Sequence, residues 1–117
     1  METKFNFNSQ ICTTREQSER LLALGLKKET ADIRGVEGIE HIPTYGWSLD
    51  RLRELIPENI FTGVRNQWHR VMYNGILTYE EGEDSLVIFR DVNIYDRCVS
   101  CIEWLIKEGY FNKEYLV

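Results

Sequence analysis

Apolar and polar positions alternate with a helical period most plainly between residues 93 and 111, NIYDRCVSCIEWLIKEGYF. At 100° per residue, Asp96, Ser100, Glu103 and Lys107 share one narrow face. Ile94, Cys98, Cys101, Ile102 and Leu105 lie opposite, and Tyr95, Val99 and Ile106 widen that arc. This is the pattern of a helix with a broad buried side, predicted over 94–108. Asn93 suits its N-cap, and Asp96 places negative charge near the positive end of the helix dipole. Gly109 stands where a left-handed C′ residue is wanted, with Tyr110 free to fold back on Leu105. Trp104 departs from the phase, about 80° round from the centre of the polar face on ideal geometry.

Two shorter helices are predicted near 14–24 and 49–56. Thr13 and Glu16 read as a capping box for the first. Gln17, Leu21 and Leu24 form its narrow seam, which suits the outside of the domain, and Gly25 is its expected stop, with Leu26 returning to Leu21. Ser48 caps the second, Trp47 can staple onto Leu52, and Leu49, Leu52, Leu55 and Ile56 make its stripe; Pro57 ends it. Between them, 27–46 reads as a long loop with one short strand near Ile39–Ile42. Phe5 and Phe7, alternating with polar residues, suit an edge strand or a docked arm.

The period changes to that of strands from Ile60. Asn74-Gly75 between apolar runs is a strong hairpin signal, predicted over 68–79. Its turn sets Tyr73 opposite Ile76, Met72 opposite Leu77, Val71 opposite Thr78 and Arg70 opposite Tyr79; His69 would face Glu80. Residues 80–85, EEGEDS, read as an acidic turn. The run Leu86-Val87-Ile88-Phe89 suggests a third strand, 86–90, covered on both faces. The residues after 111 read as a final helical turn or a tail. No internal repeat interrupts the chain. The expectation is a single α+β domain over 1–117: a small antiparallel sheet with the C-terminal helix packed on it and two further helices.

With 117 residues the chain can bury roughly 65% of its unfolded surface, enough for a core without staples. Its formal charge is −5. Residues 1–79 balance, so the acidic excess lies in 80–117. That balance argues against nucleic-acid binding, which needs a basic footprint. Arg51, Arg53, Arg65 and Arg70 are the most basic neighbourhood, but Asp50, Glu54 and Glu58 offset them. No apolar run approaches the length of a membrane span, and METKFNFNSQ lacks a signal-peptide core. An odd number of cysteines suggests no disulfide framework. A cytoplasmic setting without a cofactor is expected.

Cys98 and Cys101, three apart on one helix face, invite a metal or redox reading, with His69 as a further candidate ligand. Their mid-helix position on the apolar face favours packing, since buried cysteine behaves as a small hydrophobe. A His69–Glu80 pair suits a general base but also suits a surface cross-strand pair. Cys12 or Cys98 with a histidine, His41 or His69, would be needed for nucleophilic catalysis, and no flanking motif marks a nucleophile. Glu80, Glu81, Glu83 and Asp84 do not match a calcium loop. No catalytic residue is assigned. The aromatic surplus points elsewhere. Trp104, Tyr95, Trp68, Arg70 and Tyr79 are the candidate interface residues, because aromatics beside an arginine have the composition of a binding hot spot.

Three segments, ICTTREQSERLLALGLKKETADI at 11–33, PTYGWSLDRLRELIP at 43–57 and WLIKEGYFNKEYL at 104–116, resemble small uncharacterised proteins carried by prophages and other mobile elements of gut bacteria. The resemblance implies an intracellular accessory protein of a mobile element and supplies no activity or site residues. Together these readings favour a non-enzymatic protein-interaction module, bound to a protein partner or to itself. A small hydrolase or metal-dependent enzyme is the alternative, and a nucleic-acid-binding protein the second alternative.

Overall fold

The structure is a computed structural model that describes residues 10–35, 43–63, 67–73 and 75–117. Its helices and strands run in the order α1 (Arg15–Ala23), β1 (Ile33–Arg34), β2 (Tyr45–Gly46), α2 (Leu49–Leu55), β3 (Asn59–Phe61), β4 (Gln67–Tyr73), β5 (Ile76–Glu81), β6 (Asp84–Phe89) and α3 (Ile94–Glu108). It is the expected α+β arrangement, with α3 packed on an antiparallel sheet. That sheet has four strands in the order β3-β4-β5-β6, and β1 pairs with β2 separately.

The α3 helix forms as its pattern requires. The Asn93 side chain accepts from the amides of Tyr95 and Asp96, a cap of about 1 kcal/mol. Tyr95, Cys98, Val99, Cys101, Ile102 and Leu105 are buried. At the far end Gly109 takes φ of +82°, and the Tyr110 amide bonds the Leu105 carbonyl. The α1 helix stops the same way: Gly25 has φ of +98°, and the amides of Gly25 and Leu26 return to Leu22 and Leu21. Both are Schellman endings, which need a residue without a Cβ penalty at positive φ.

The N-terminus of α1 corrects one expectation. The cap is Thr14, not Thr13, and its box partner is Gln17, not Glu16. Thr13 is buried instead: its hydroxyl accepts from the Trp47 amide, and its own amide donates to the Trp47 carbonyl. This pair of bonds ties the start of α1 to the start of α2. Gln17 does a second job as well, donating to Asp96 Oδ1 at 2.6 Å. The seam of α1 therefore docks on the first turn of α3, reinforced on the surface by Arg20–Glu103 at 2.9 Å.

The stretch 27–46 is more ordered than a loop wherever it is described. Lys28–Thr30 is a short 3₁₀ turn, and the β1–β2 pairing follows, with Ile33 opposite Gly46. The Trp47 indole donates to Thr30 Oγ1 at 2.9 Å. Asp32 receives both the amide and the hydroxyl of Ser48, while the Ser48 oxygen accepts from Arg51 to cap α2. The short strand expected near 39–42 and the arm carrying Phe5 and Phe7 lie outside the described residues.

In the main sheet the register of β4 and β5 is the one the Asn-Gly turn demands, His69 opposite Glu80 included. Both strands run past the predicted hairpin limits, and the acidic turn narrows to Gly82 and Glu83. Two features differ from expectation. A fourth strand, β3, pairs Ile60 with Trp68. And β6, expected to be covered on both faces, is an edge strand over 84–89 rather than 86–90. A register shift at Tyr79/Glu80 bulges β6. Both Leu86 and Val87 consequently pack on the core, which makes four apolar residues in a row compatible with one covered face. The C-terminal residues form a 3₁₀ turn at Lys113–Tyr115, and Leu116 bridges back to Leu26.

The core lies between this sheet and the helices. Leu77 and Tyr79 from β5 are fully buried with Trp47, Leu52, Ile102 and Leu105. Arg70 crosses from β4 to the end of α2, where its Nη1 donates to the carbonyls of Arg53 at 2.9 Å and Ile56 at 2.7 Å. These are carbonyls that a helix end leaves without partners, and a cation there also favours the dipole. The Tyr79 hydroxyl donates to the next carbonyl along, that of Pro57. The α2 helix has only seven residues, too few to persist alone, so these bonds and its Leu52–Leu55 contacts are what hold it.

Candidate functional site

Side chains alternate across a strand, so the register sorts the sheet residues onto two faces. Ile60, Trp68, Arg70, Met72, Leu77, Tyr79, Val87 and Phe89 share the face toward the helices. The aromatics proposed from the sequence as an interface are used on this covered side. Trp104 stacks on Tyr79 with ring centroids 6.3 Å apart, meets Phe89 edge-on at 6.2 Å and tilts against Tyr110 at 5.7 Å. Its departure from the helical phase reflects this: the sheet reaches out to β6 and covers a flank of α3 beyond the main stripe. Tyr79 is buried, and burial pushes its hydroxyl well above the usual tyrosine value. Trp68 donates its indole N–H to Thr62 Oγ1 at 2.8 Å. Arg70 is committed to α2. Tyr95 is buried, with its hydroxyl donating to the Gln10 carbonyl at 3.1 Å.

The cysteines are also packing residues. Cys98 and Cys101 are wholly buried and Cys12 nearly so; all three are free thiols. Burial pushes the Cys98 thiol up to about 11, against the opposing charge of Arg97, Arg53 and Arg70. Burial raises Cys101 and Cys12 too. A thiol held protonated and out of solvent is neither a nucleophile nor a metal ligand. Among the described residues no cluster of His, Cys, Asp and Glu is placed to hold a metal ion. His69 and Glu80 are cross-strand partners, yet each bonds elsewhere: His69 Nδ1 to Asn59 Oδ1 at 2.6 Å, Glu80 to the Thr78 hydroxyl. His41 and Arg65 lie outside the described residues.

The other face of the sheet carries Phe61, His69, Val71, Tyr73, Ile76, Thr78, Glu80 and Ile88. Phe61 is 64% exposed, Tyr73 50% and Ile88 40%. Val71 and Ile76 are half-buried, and neither joins the core. The helix contacts of the sheet described above all fall on the opposite face. Val71, Tyr73, Ile76 and Ile88 form an apolar group around Thr78 toward the hairpin tip, while Phe61 stands apart beside Gln67, with His69, Asn59 and Glu80 between them. Sequence reasoning passed over it for two reasons. The β3 strand is too short for a period to show Phe61 pointing out, and Ile88 sat in a run read as fully covered. The alternation in the hairpin was the available signal, since it already separated Val71 and Tyr73 from Arg70 and Met72.

Three comparisons with known proteins give no match: no family model, no curated protein and no solved structure resembles the chain detectably. Among the described residues no helix is long and apolar enough to cross a membrane.

Proposed function

We propose that this chain is a non-enzymatic protein-interaction module whose binding surface is the outer face of the sheet, and that a second copy of the chain binds there. The observation that carries the reading is the Val71–Tyr73–Ile76–Ile88 group at the hairpin end of the outer face, outside the core, with exposed Phe61 further along the same face. Contiguous apolar surface of this kind marks interaction sites more often than chance. Sheets with one apolar face pack against each other about 10 Å apart, and one patch repeated about a two-fold axis matches itself. The enzyme and nucleic-acid readings lose support from the burial of the thiols and from the commitment of Arg70 to the end of α2. A role as an accessory protein of a prophage or other mobile element, in the bacterial cytoplasm, belongs to this proposal through the resemblance of the three segments.

Sedimentation equilibrium tests it, comparing the wild type with a Phe61→Ser, Tyr73→Ser double variant. The wild type is expected to dimerise with concentration. The variant should dimerise at least about a hundredfold more weakly, because each lost ring forfeits roughly 1.5–3 kcal/mol of burial. Its circular dichroism should be unchanged, since neither ring touches the core. A wild type that stays monomeric at all concentrations, or a double variant that associates equally well, contradicts the proposal.

A further inference from the structure

At the tip of the β4–β5 hairpin, a cleft of about 160 Å³ opens between α2, the hairpin and the first turns of α3. Two arginines line it, Arg53 from α2 and Arg97 from α3, with Met72, Ile76 and Ile94 among its apolar walls. Arg53 is exposed, but Arg97 is only 7% exposed. Arg97 Nε donates to the Asp91 carbonyl at 3.0 Å and Nη2 to the Val92 carbonyl at 3.2 Å. Among the described residues neither guanidinium has a carboxylate within ion-pair reach.

This is an unusual place for a cation. An arginine does not shed its proton in a protein, so burial cannot be relieved by neutralisation. A buried charge is normally paired, and two neutral carbonyls supply only part of what is missing. A second guanidinium in the same cleft adds repulsion rather than relief. The chain as a whole is acidic, at −5, yet among the described residues no carboxylate is placed here to pair with these arginines. Gly75, with a Cβ position 4.0 Å from Arg97 Nη2, keeps the hairpin tip from crowding the site.

Size limits the ligand. The cleft has room for about five waters at liquid density. That is below the few hundred Å³ of ordinary cofactor and drug sites. It suits an anionic headgroup with a few carbons, not a nucleotide. We propose that this cleft binds a small oxyanion, a carboxylate or phosphoryl group on a short apolar chain, with Arg97 and Arg53 as its cationic contacts. Arg97 supplies a fixed donor from inside, and Arg53 closes over the ligand from the solvent side. Met72 and Ile94 receive the apolar chain.

The test is a titration of the full chain followed by ¹H–¹⁵N correlation spectra that include the arginine Nε–H signals. Butyl phosphate, butyrate, inorganic phosphate and butanol are each added at ionic strength matched with potassium chloride. Saturable shifts centred on Arg97 Nε–H and the Gly75 amide are expected from butyl phosphate or butyrate, and the tighter of the two identifies the headgroup. Inorganic phosphate should bind more weakly than butyl phosphate, and butanol should not saturate. Arg53→Gln, on an exposed position, should weaken binding by about tenfold or more, the loss of one charge-assisted hydrogen bond. Arg97→Met should abolish it; where that variant fails to fold, Arg53→Gln decides alone. Shifts no larger than potassium chloride produces, or a variant at Arg53 that binds as tightly as the wild type, would overturn the proposal.

Discussion

Replacing Trp104 by alanine separates packing from association. Trp104 touches three rings, Tyr79, Phe89 and Tyr110, and is partly buried between α3 and the β5–β6 edge. Truncating a fully buried tryptophan costs about 3–5 kcal/mol, and each favourable ring pair contributes about 0.5–1.5 kcal/mol within such totals. Partial exposure lowers the first figure, which leaves an expected loss of about 2–4 kcal/mol. For a domain of this size that is a large share of the whole stability, of order 5–15 kcal/mol. Trp104→Phe keeps an aromatic ring against Tyr79 and should recover about half. Urea unfolding at two protein concentrations measures the loss, in the wild-type background and in the Phe61→Ser, Tyr73→Ser background. The same loss is expected in both backgrounds, because Trp104 stabilises the single chain. A loss under about 0.5 kcal/mol, or one that vanishes when the outer face is disabled, would refute the placement of Trp104 in the intrachain core and return it to an interface.

Four further outcomes follow from named contacts. Arg70→Met removes a charged donor from the Arg53 and Ile56 carbonyls and should cost about 1.5–3 kcal/mol in denaturant unfolding; Arg70→Lys should recover only part of this, since its shorter side chain must bring one ammonium to both carbonyls that Nη1 bonds. At Asp32, burial acts to raise the pKa, but the hydroxyl and amide of Ser48 outweigh it and hold the carboxyl below its usual range. The Ser48 bonds therefore stabilise the fold above the unfolded value near pH 3.9 and lose this contribution as pH falls through the lower folded value. Asp32→Ala should accordingly cost about 1 kcal/mol at pH 7, discounted for exposure, and the gap from wild type should narrow below about pH 4. Cys98, with its folded value near 11, contributes in the opposite sense: its stabilisation is full below the unfolded thiol value and is lost as pH rises toward 11. All three thiols should resist Ellman's reagent at pH 8 until urea unfolds the chain; rapid reaction of the native protein would contradict their burial.

The long helix and the hairpin were legible because each carries redundant local signals. Asn93, Gly109 and the apolar arc agree on α3, and Asn74-Gly75 leaves only one pairing for β4 and β5. The cap of α1 was misplaced by one residue because Thr13 and Thr14 are adjacent, and Glu16 and Gln17 both satisfy the box. Tertiary structure decided between them: Thr13 is needed at Trp47, and Gln17 at Asp96. The β6 strand misled because a bulge breaks the period of two, so a one-sided strand presents a continuous apolar run. Trp104 and Arg97 were hidden for a different reason. Helix phase reports one flat partner, whereas α3 meets a sheet that curves past its flank and a hairpin tip that closes over its first turns. The candidate site was half visible. The idea of an exposed aromatic surface was readable from composition, but which aromatics are exposed depends on which sheet face the helices take.

The account rests on the outer face of the sheet meeting a second copy. The most direct measurement is an isotope-filtered nuclear Overhauser experiment on a mixture of labelled and unlabelled chains, which detects contacts between copies alone. Intermolecular contacts are expected among Val71, Tyr73, Ile76 and Ile88, and none from Trp104 or Tyr79. Contacts centred on Trp104, or no intermolecular contact at concentrations where sedimentation finds dimer, would contradict it.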